Sequence, residues 1–238
     1  TTAKLIEKEN LAYDEAIAVM DEIMSGETSQ IQTAAFLAAL SAKGETVEEI
    51  TACAAGMRDH ATPVACDFDL LEIVGTGGDG SNSFNISTTA SIVIASGGVM
   101  VAKHGNRAAS SKSGAADSLE ALGVNVNLPP EKVAQAVREI GVGFMFAPNH
   151  HSAMKHAAPV RRELGVRTLF NLLGPMTNPA GAPHQVMGVF ARELTRKLAE
   201  VLRELGSRHV LVVHAADGLD EISLAGETWI AELRDGAI

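Results

Sequence analysis

The chain has 238 residues, 46% of them hydrophobic, enough to bury a substantial core as one large or two smaller domains. A formal net charge of -10 and 4% aromatic content argue against extended nucleic-acid binding, which needs broad positive potential and stacking platforms, and leave small anions as the better partners. Cys53 and Cys66 lack metal-ligand spacing and suggest no disulfide framework; with no evident signal peptide and no apolar stretch long enough to span a bilayer, the expected setting is a reducing cytoplasm away from membranes.

Tyr13 to Met24 and Gln30 to Lys43 carry helical apolar spacing and stop at Gly26 and Gly44. Thr46-Val47-Glu48-Glu49 has capping-box spacing and opens a third helix through about His60. No strand precedes these helices. The pattern predicts an N-terminal helical domain over 1–62, open to later helices, and a larger α/β domain over 63–238.

Leu70-Leu71-Glu72-Ile73-Val74 reads as an apolar strand that breaks into Gly75-Thr76-Gly77-Gly78-Asp79-Gly80, and Ser87 then caps a helix that stops at Gly97-Gly98. Backbone N–H groups bared at such a junction, at Gly77 to Asp79 above all, converge on a space that suits phosphate. Glycines after a strand also simply make tight turns, and neither G-x-G-x-x-G nor the P-loop pattern fits. Val99-Met100-Val101-Ala102 is a second short strand. The following Lys103-His104-Gly105-Asn106-Arg107-Ala108-Ala109-Ser110-Ser111-Lys112-Ser113-Gly114, with three cations, is either an anion-binding loop or a solvated basic face.

Pro129-Pro130 starts a helix that runs through Ile140. His150, His151 and His156 lack the cysteine or carboxylate partners of a zinc site, and a pocket role suits His151 better. Arg161, in a helical stretch, has the planar fork for a carboxylate, or pairs with Glu163 at the surface. Asn171 to Pro179 reads as an ordered turn, Val186 to Phe190 as a strand, and Glu193 to Leu205 as a helix. His209 to His214 is a third strand candidate ending in acid, Asp217-Gly218-Leu219-Asp220-Glu221; alone the acid pair is solvated surface, but beside two anion-binding loops it is a magnesium candidate. Glu227 to Leu233 alternates like a strand entering a turn. Strand–helix alternation favours a mainly parallel sheet, whose ligands sit at the carboxyl ends of the strands.

GTGGDGSNSFNIST, KHGNRAASSKSGAADSLEALG, HHSAMKHAAPVRRELGVRTLFNLLGPMTNPA and DGLDE follow one another in the chain. With these motifs in this order, the chain resembles the anthranilate phosphoribosyltransferase family, of nucleoside phosphorylase-like phosphoribosyltransferase fold, over its whole length. The resemblance implies transfer of the phosphoribosyl group of phosphoribosyl pyrophosphate to the amine of anthranilate, with release of pyrophosphate, in tryptophan biosynthesis. It implies that Gly78, Asp79, Ser83, Asn85, Ile86, Ser87 and Thr88 hold phosphoribosyl pyrophosphate, and that Lys103, His104, Gly105, Asn106, Arg107, Ala108, Ala109, Ser110 and Ser111 continue that site. Gly75, Asn106 and Arg161 match anthranilate contacts, with His151 at a neighbouring pocket position.

Asp220 and Glu221, with Ser87 close by, match acids that bind Mg2+. Ala115 stands where many relatives have a serine contact to phosphoribosyl pyrophosphate, so that one hydroxyl is lost. Lys103 would face the leaving pyrophosphate, and His104 is the nearest group for taking the amine proton late. The resemblance further implies a homodimer joined through the N-terminal helices, leaves open an association with anthranilate synthase, and places additional sheet and helices beyond Ile238. Two other readings share the fold. A pyrimidine nucleoside phosphorylase-like enzyme would leave the acid pair unexplained, and a non-catalytic paralogue should have altered acids.

Overall fold

A computed structural model describes residues 1–81, 83–108 and 113–238. The chain forms two units, a helical one of Thr1–Ala61 with His151–Thr177 and an α/β one of Thr62–His150 with Asn178–Ile238. It begins with α1 (Thr2–Ile6), α2 (Tyr13–Ser25), α3 (Gln30–Lys43) and α4 (Val47–Asp59). The α/β unit opens with β1 (Leu71–Gly75), α5 (Ile86–Ser96), β2 (Val101–Gly105), α6 (Ala115–Ala121), α7 (Pro130–Ile140), β3 (Val142–Phe146) and α8 (Ala147–His150). The helical unit resumes with a 3-10 turn at Ser152–Lys155, α9 (Ala158–Leu164), α10 (Phe170–Leu173) and a 3-10 turn at Gly174–Met176. β4 (His184–Gly188), α11 (Leu194–Glu204), β5 (His209–Ala215) and β6 (Thr228–Arg234) complete the α/β unit.

Local chemistry sets the ends of the early helices. Ser29 Oγ accepts the Gln32 N–H while Gln32 Oε1 accepts the Ser29 N–H, and Thr46 and Glu49 repeat that reciprocal box at the start of α4. Gly26 ends α2 with φ 77°, a left-handed conformation that a side chain disfavours. The apolar faces bury Leu5, Met20, Ile23, Leu37, Leu40 and Ile50, and Leu11 of the α1–α2 connection is buried as well. Within this core the Glu49 side chain is 0% exposed. Burial pushes its carboxyl up, but the Leu11 and Thr46 N–H groups and Lys43 Nζ, at 2.8 to 2.9 Å, more than offset that and hold it below the usual range.

The α/β unit carries a six-stranded sheet in the order β3-β2-β1-β4-β5-β6, parallel except for β6, which runs antiparallel beside β5. This is the mainly parallel sheet that strand–helix alternation predicts. The chain leaves β1 outward through β2 to β3 and returns on the other side as β4, so the winding reverses between β1 and β4, where open α/β sheets bind ligands. Val64, Leu70, Ala102, Val133, Val137 and Met145 form one core cluster of the unit. Among the described residues no helix is long and apolar enough to cross a membrane.

Several boundaries differ from the sequence reading. β2 runs on through Lys103, His104 and Gly105, read above as loop, because these residues pair with Phe144, Met145 and Phe146 of β3, a strand that reading did not anticipate. Asn85 is the N-cap of α5, and Ser87 lies inside the helix with its hydroxyl turned to another partner. The strand predicted over Val186 to Phe190 begins two residues earlier and ends at Gly188. Asn171 to Pro179 is not merely a turn, since α10 and a 3-10 turn occupy most of it.

Candidate active site

At the switch point the register pairs Gly75 of β1 with Gly188 of β4, and the acidic loop after β5 lies across both glycines. A Cβ at Gly75 would stand 2.6 Å from Asp220 Oδ2, and one at Gly188 would collide with the Asp220 backbone carbonyl. Two facing residues without side chains therefore admit the acids to the strand ends. Gly188 escaped the sequence reading, although a glycine inside an apolar strand signals close backbone approach.

After β1 the chain turns through Gly77, Gly78 and Gly80, all left-handed with φ 65°, 78° and 74°. The Gly77 N–H is not bared for phosphate as the sequence suggested: it donates to Asp220 Oδ2 at 2.8 Å. Asp79 Oδ1 accepts the Ser81 N–H, and Ser81 Oγ accepts the Ser83 N–H, which folds the loop on itself. Asp79 Oδ2 is buried without a hydrogen-bond partner among the described residues. Asn85 Nδ2 donates to Ser118 Oγ and so ties the start of α5 to α6. Ile86 opens α5, Thr88 is buried on it, and Ser87 Oγ donates to Glu221 Oε1 at 2.6 Å.

Three acids and one cation thus meet. Burial, with the Asp79 carboxylate alongside, pushes the Asp220 carboxyl up to about 6. Burial raises Glu221 too, against the Ser87 hydroxyl and the Lys103 ammonium, which pull it down. Lys103 is only 5% exposed; burial lowers its ammonium while the Glu72 and Glu221 carboxylates resist that shift. Among the described residues no group of three or more His, Cys, Asp or Glu closes on a metal ion unaided. The set nevertheless fits magnesium, which takes one or two carboxylates and completes its shell with water and phosphate oxygens. The unpartnered Asp79 oxygen and the raised Asp220 carboxyl are both relieved by an added cation.

The remaining members of the basic segment divide. His104 is buried, Nζ of Lys103 donates to its carbonyl at 3.2 Å, and Asn106 Oδ1 accepts the Arg107 N–H at 2.7 Å. Arg107 is committed elsewhere, paired with Asp117 and Glu120 and lying 5.3 Å over the Phe146 ring, so the acids of α6 already hold that cation. Asp117 Oδ2 also accepts the Ala108 and Gly114 N–H groups. The Ala115 methyl sits against Gly105, where a Cβ would be 3.1 Å away. Ala109, Ser110, Ser111 and Lys112 lie outside the described residues.

His151 and Arg161 belong to the helical unit. His151 is buried ahead of the 3-10 turn at Ser152. Arg161, on α9, lies 5.3 Å over the Phe170 ring, and no carboxylate among the described residues pairs with it, Glu163 included. Burial lowers its guanidinium, which stays charged because its ordinary value is so high. His150 Nδ1 is bonded to the Thr62 carbonyl at 3.0 Å, and His156 packs on Gly26.

The class of protein is given by its two domains: residues 1–61 match the helical bundle domain of the glycosyl transferase family, and residues 67–238 match its a/b domain. An anthranilate phosphoribosyltransferase of Ectopseudomonas mendocina is 58% identical over 236 residues, 99% of this chain and 68% of that protein. The crystal structure of anthranilate phosphoribosyltransferase (TrpD) from Thermus thermophilus has 53% identity and a TM-score of 0.93, covering 98% of this chain and 70% of that one. The Saccharomyces cerevisiae enzyme in complex with PRPP and Mg has 31% identity and a TM-score of 0.88, covering 98% of this chain and 71% of that one. The chain belongs to the anthranilate phosphoribosyltransferase family.

Proposed function

We propose that this chain transfers the phosphoribosyl group of phosphoribosyl pyrophosphate to the amine of anthranilate, releasing pyrophosphate, as a step of tryptophan biosynthesis. The observation that carries the reading is the convergence of Asp79, Asp220, Glu221 and Lys103 at the β1/β4 switch point, with a buried Asp79 oxygen that lacks a partner among the described residues. Such a cluster favours a ligand that brings both cations and phosphate oxygens. In this reading Mg2+ is held by Asp220 and Glu221 with Ser87 alongside, and it supplies positive charge against the phosphate oxygens of the leaving group.

The amine lone pair forms a bond to the anomeric carbon as the bond from that carbon to the pyrophosphate oxygen breaks. An aromatic amine is neutral and nucleophilic already, so the larger task is to stabilise the oxygen that leaves and the sugar cation that forms. Lys103, buried near Glu221, is assigned to that negative charge, and His104 to the late removal of the amine proton. Gly78, Asp79, Ser83, Asn85, Ile86, Ser87 and Thr88 cradle the phosphoribosyl end. Arg161, a cation without a carboxylate partner among the described residues, is assigned the anthranilate carboxylate; the family resemblance assigns Gly75 and Asn106 to the same ligand and His151 to a neighbouring position. The proposal also includes a homodimer, which light scattering of the purified chain tests, and leaves association with anthranilate synthase to co-purification.

The direct test is anthranilate fluorescence. Protein, magnesium and phosphoribosyl pyrophosphate together should extinguish it with stoichiometric release of pyrophosphate, and omission of any one should not. Undiminished fluorescence at substrate-level protein concentration would refute the proposal.

A further inference from the structure

Glu72 is 1% exposed in the middle of the sheet, and the mechanism above makes no use of it. Its surroundings are unusual. β1 pairs with β4 over five register positions, and β2 pairs with β3 over five, but β1 and β2 share only Leu71↔Val101. There the Leu71 N–H donates to the Met100 carbonyl at 2.9 Å. One step further, a continuous parallel ladder would pair both the Ala102 carbonyl and the His104 N–H with Ile73. Side chains take those places instead: Asn178 Nδ2 donates to the Ala102 carbonyl at 3.0 Å, and the His104 N–H donates to Glu72 Oε1 at 3.1 Å.

The ladder between β2 and β1 is therefore open at the carboxyl end, and two buried polar side chains satisfy the lips of the split. One lip carries Gly75 and the glycine loop, and the other carries Lys103, His104 and the turn into Asn106. Glu72 reaches from β1 across to the His104 N–H of β2. Asn178 is itself held in place, since its Oδ1 accepts the Ala180 N–H at 2.8 Å. The Glu72 carboxylate also attracts the Lys103 ammonium, which draws that cation toward the same split.

We infer that Glu72 is a positioning residue: through the His104 N–H it sets how the Lys103–Asn106 turn stands against the glycine loop, and so the fit of the pyrophosphate group between them. The inference rests on the function proposed above. Glu72→Gln keeps an acceptor of the same reach and removes the charge, whereas Glu72→Asp keeps the charge and withdraws the acceptor by one methylene. The readouts are kcat, the KM for each substrate, thermal melting, and hydrogen exchange of the His104 amide in ligand-free protein.

Loss of one hydrogen bond corresponds to about a tenfold change. Glu72→Asp should raise the KM for phosphoribosyl pyrophosphate by about that factor, leave the KM for anthranilate unchanged, and speed His104 amide exchange by a similar factor. Glu72→Gln, which keeps the acceptor, should leave the KM for phosphoribosyl pyrophosphate and His104 amide exchange within about threefold of the parent. A purely structural role would lower melting and active fraction without moving one KM alone. The opposite ranking, with Gln worse than Asp, would assign the residue to charge balance and overturn the inference; so would two variants with parental KM values and exchange. Should Glu72→Asp not fold, Glu72→Gln decides, since a tenfold loss in it contradicts an acceptor role and parental behaviour supports one. A parent without turnover would sink the proposed function, and the exchange measurement would still decide whether Glu72 holds the turn.

Discussion

Asp220→Asn should stabilise the ligand-free protein while abolishing its turnover, and the stabilisation should depend on pH. Burial and the neighbouring Asp79 carboxylate raise the Asp220 carboxyl from 3.8 to about 6. The folded protein therefore binds the proton more tightly than the unfolded chain. The resulting stability is fully present below pH 3.8 and is lost as pH rises through about 6. The rise from 3.8 to about 6 corresponds to about 3 kcal/mol, reduced to roughly 1–2 kcal/mol because the group is partly solvated. Asparagine keeps an oxygen for the Gly77 N–H and carries no charge to desolvate. In magnesium-free buffer the variant should melt within error of the parent at pH 4 and roughly 2–8 °C above it at pH 8. Fluorescence melting across that range, with the anthranilate assay on the same samples, measures both halves. A melting difference that is constant with pH, or a variant less stable at pH 8, would refute the claim that Asp220 is a strained acid awaiting a cation.

Arg161→Ala should raise the Kd for anthranilate by about one to two decades, the loss of one charge-assisted bond of roughly 1.5–3 kcal/mol, and leave phosphoribosyl pyrophosphate binding nearly untouched; equal weakening of both in calorimetry contradicts the assignment. Gly188→Ala should drive the Asp220 carbonyl off β4, costing about 1–3 kcal/mol of stability and raising the magnesium concentration needed for half-maximal turnover; parental magnesium dependence would show that the paired glycines do not seat the acids. Lys43→Met leaves the fully buried Glu49 without the cation that pairs with it, so denaturant unfolding should report a loss of about 3–5 kcal/mol; parental stability would show that the Leu11 and Thr46 N–H groups alone hold the carboxylate.

The order of the site's parts was legible in the sequence because each part is a local signal. Glycines directly after an apolar strand, a lysine after the next, and an acid pair after a third each need only a few neighbouring residues to be recognised. The helix start at Thr46 was legible for the same reason, since the capping residues lie three positions apart and satisfy one another; the matching box at Ser29 was visible only in the structure. Periodicity likewise announced a mostly parallel sheet, though not the antiparallel direction of β6, which is set by its pairing with β5.

Other features depended on partners far away in the chain. Lys103 and His104 are strand residues only because β3 lies beside them, and β3, a five-residue apolar run interrupted by Gly143, went unread in the sequence. The Gly77 amide looked free until the fold brought Asp220 to it across 143 positions, and Arg107 looked available for phosphate until α6 presented Asp117 and Glu120. Glu72 passed as one polar residue in an apolar run. Composition and spacing determine which groups a chain can offer; whether a given N–H, carboxylate or guanidinium remains available to a ligand is decided by tertiary partners, because a buried polar group takes the nearest acceptor or donor the fold supplies.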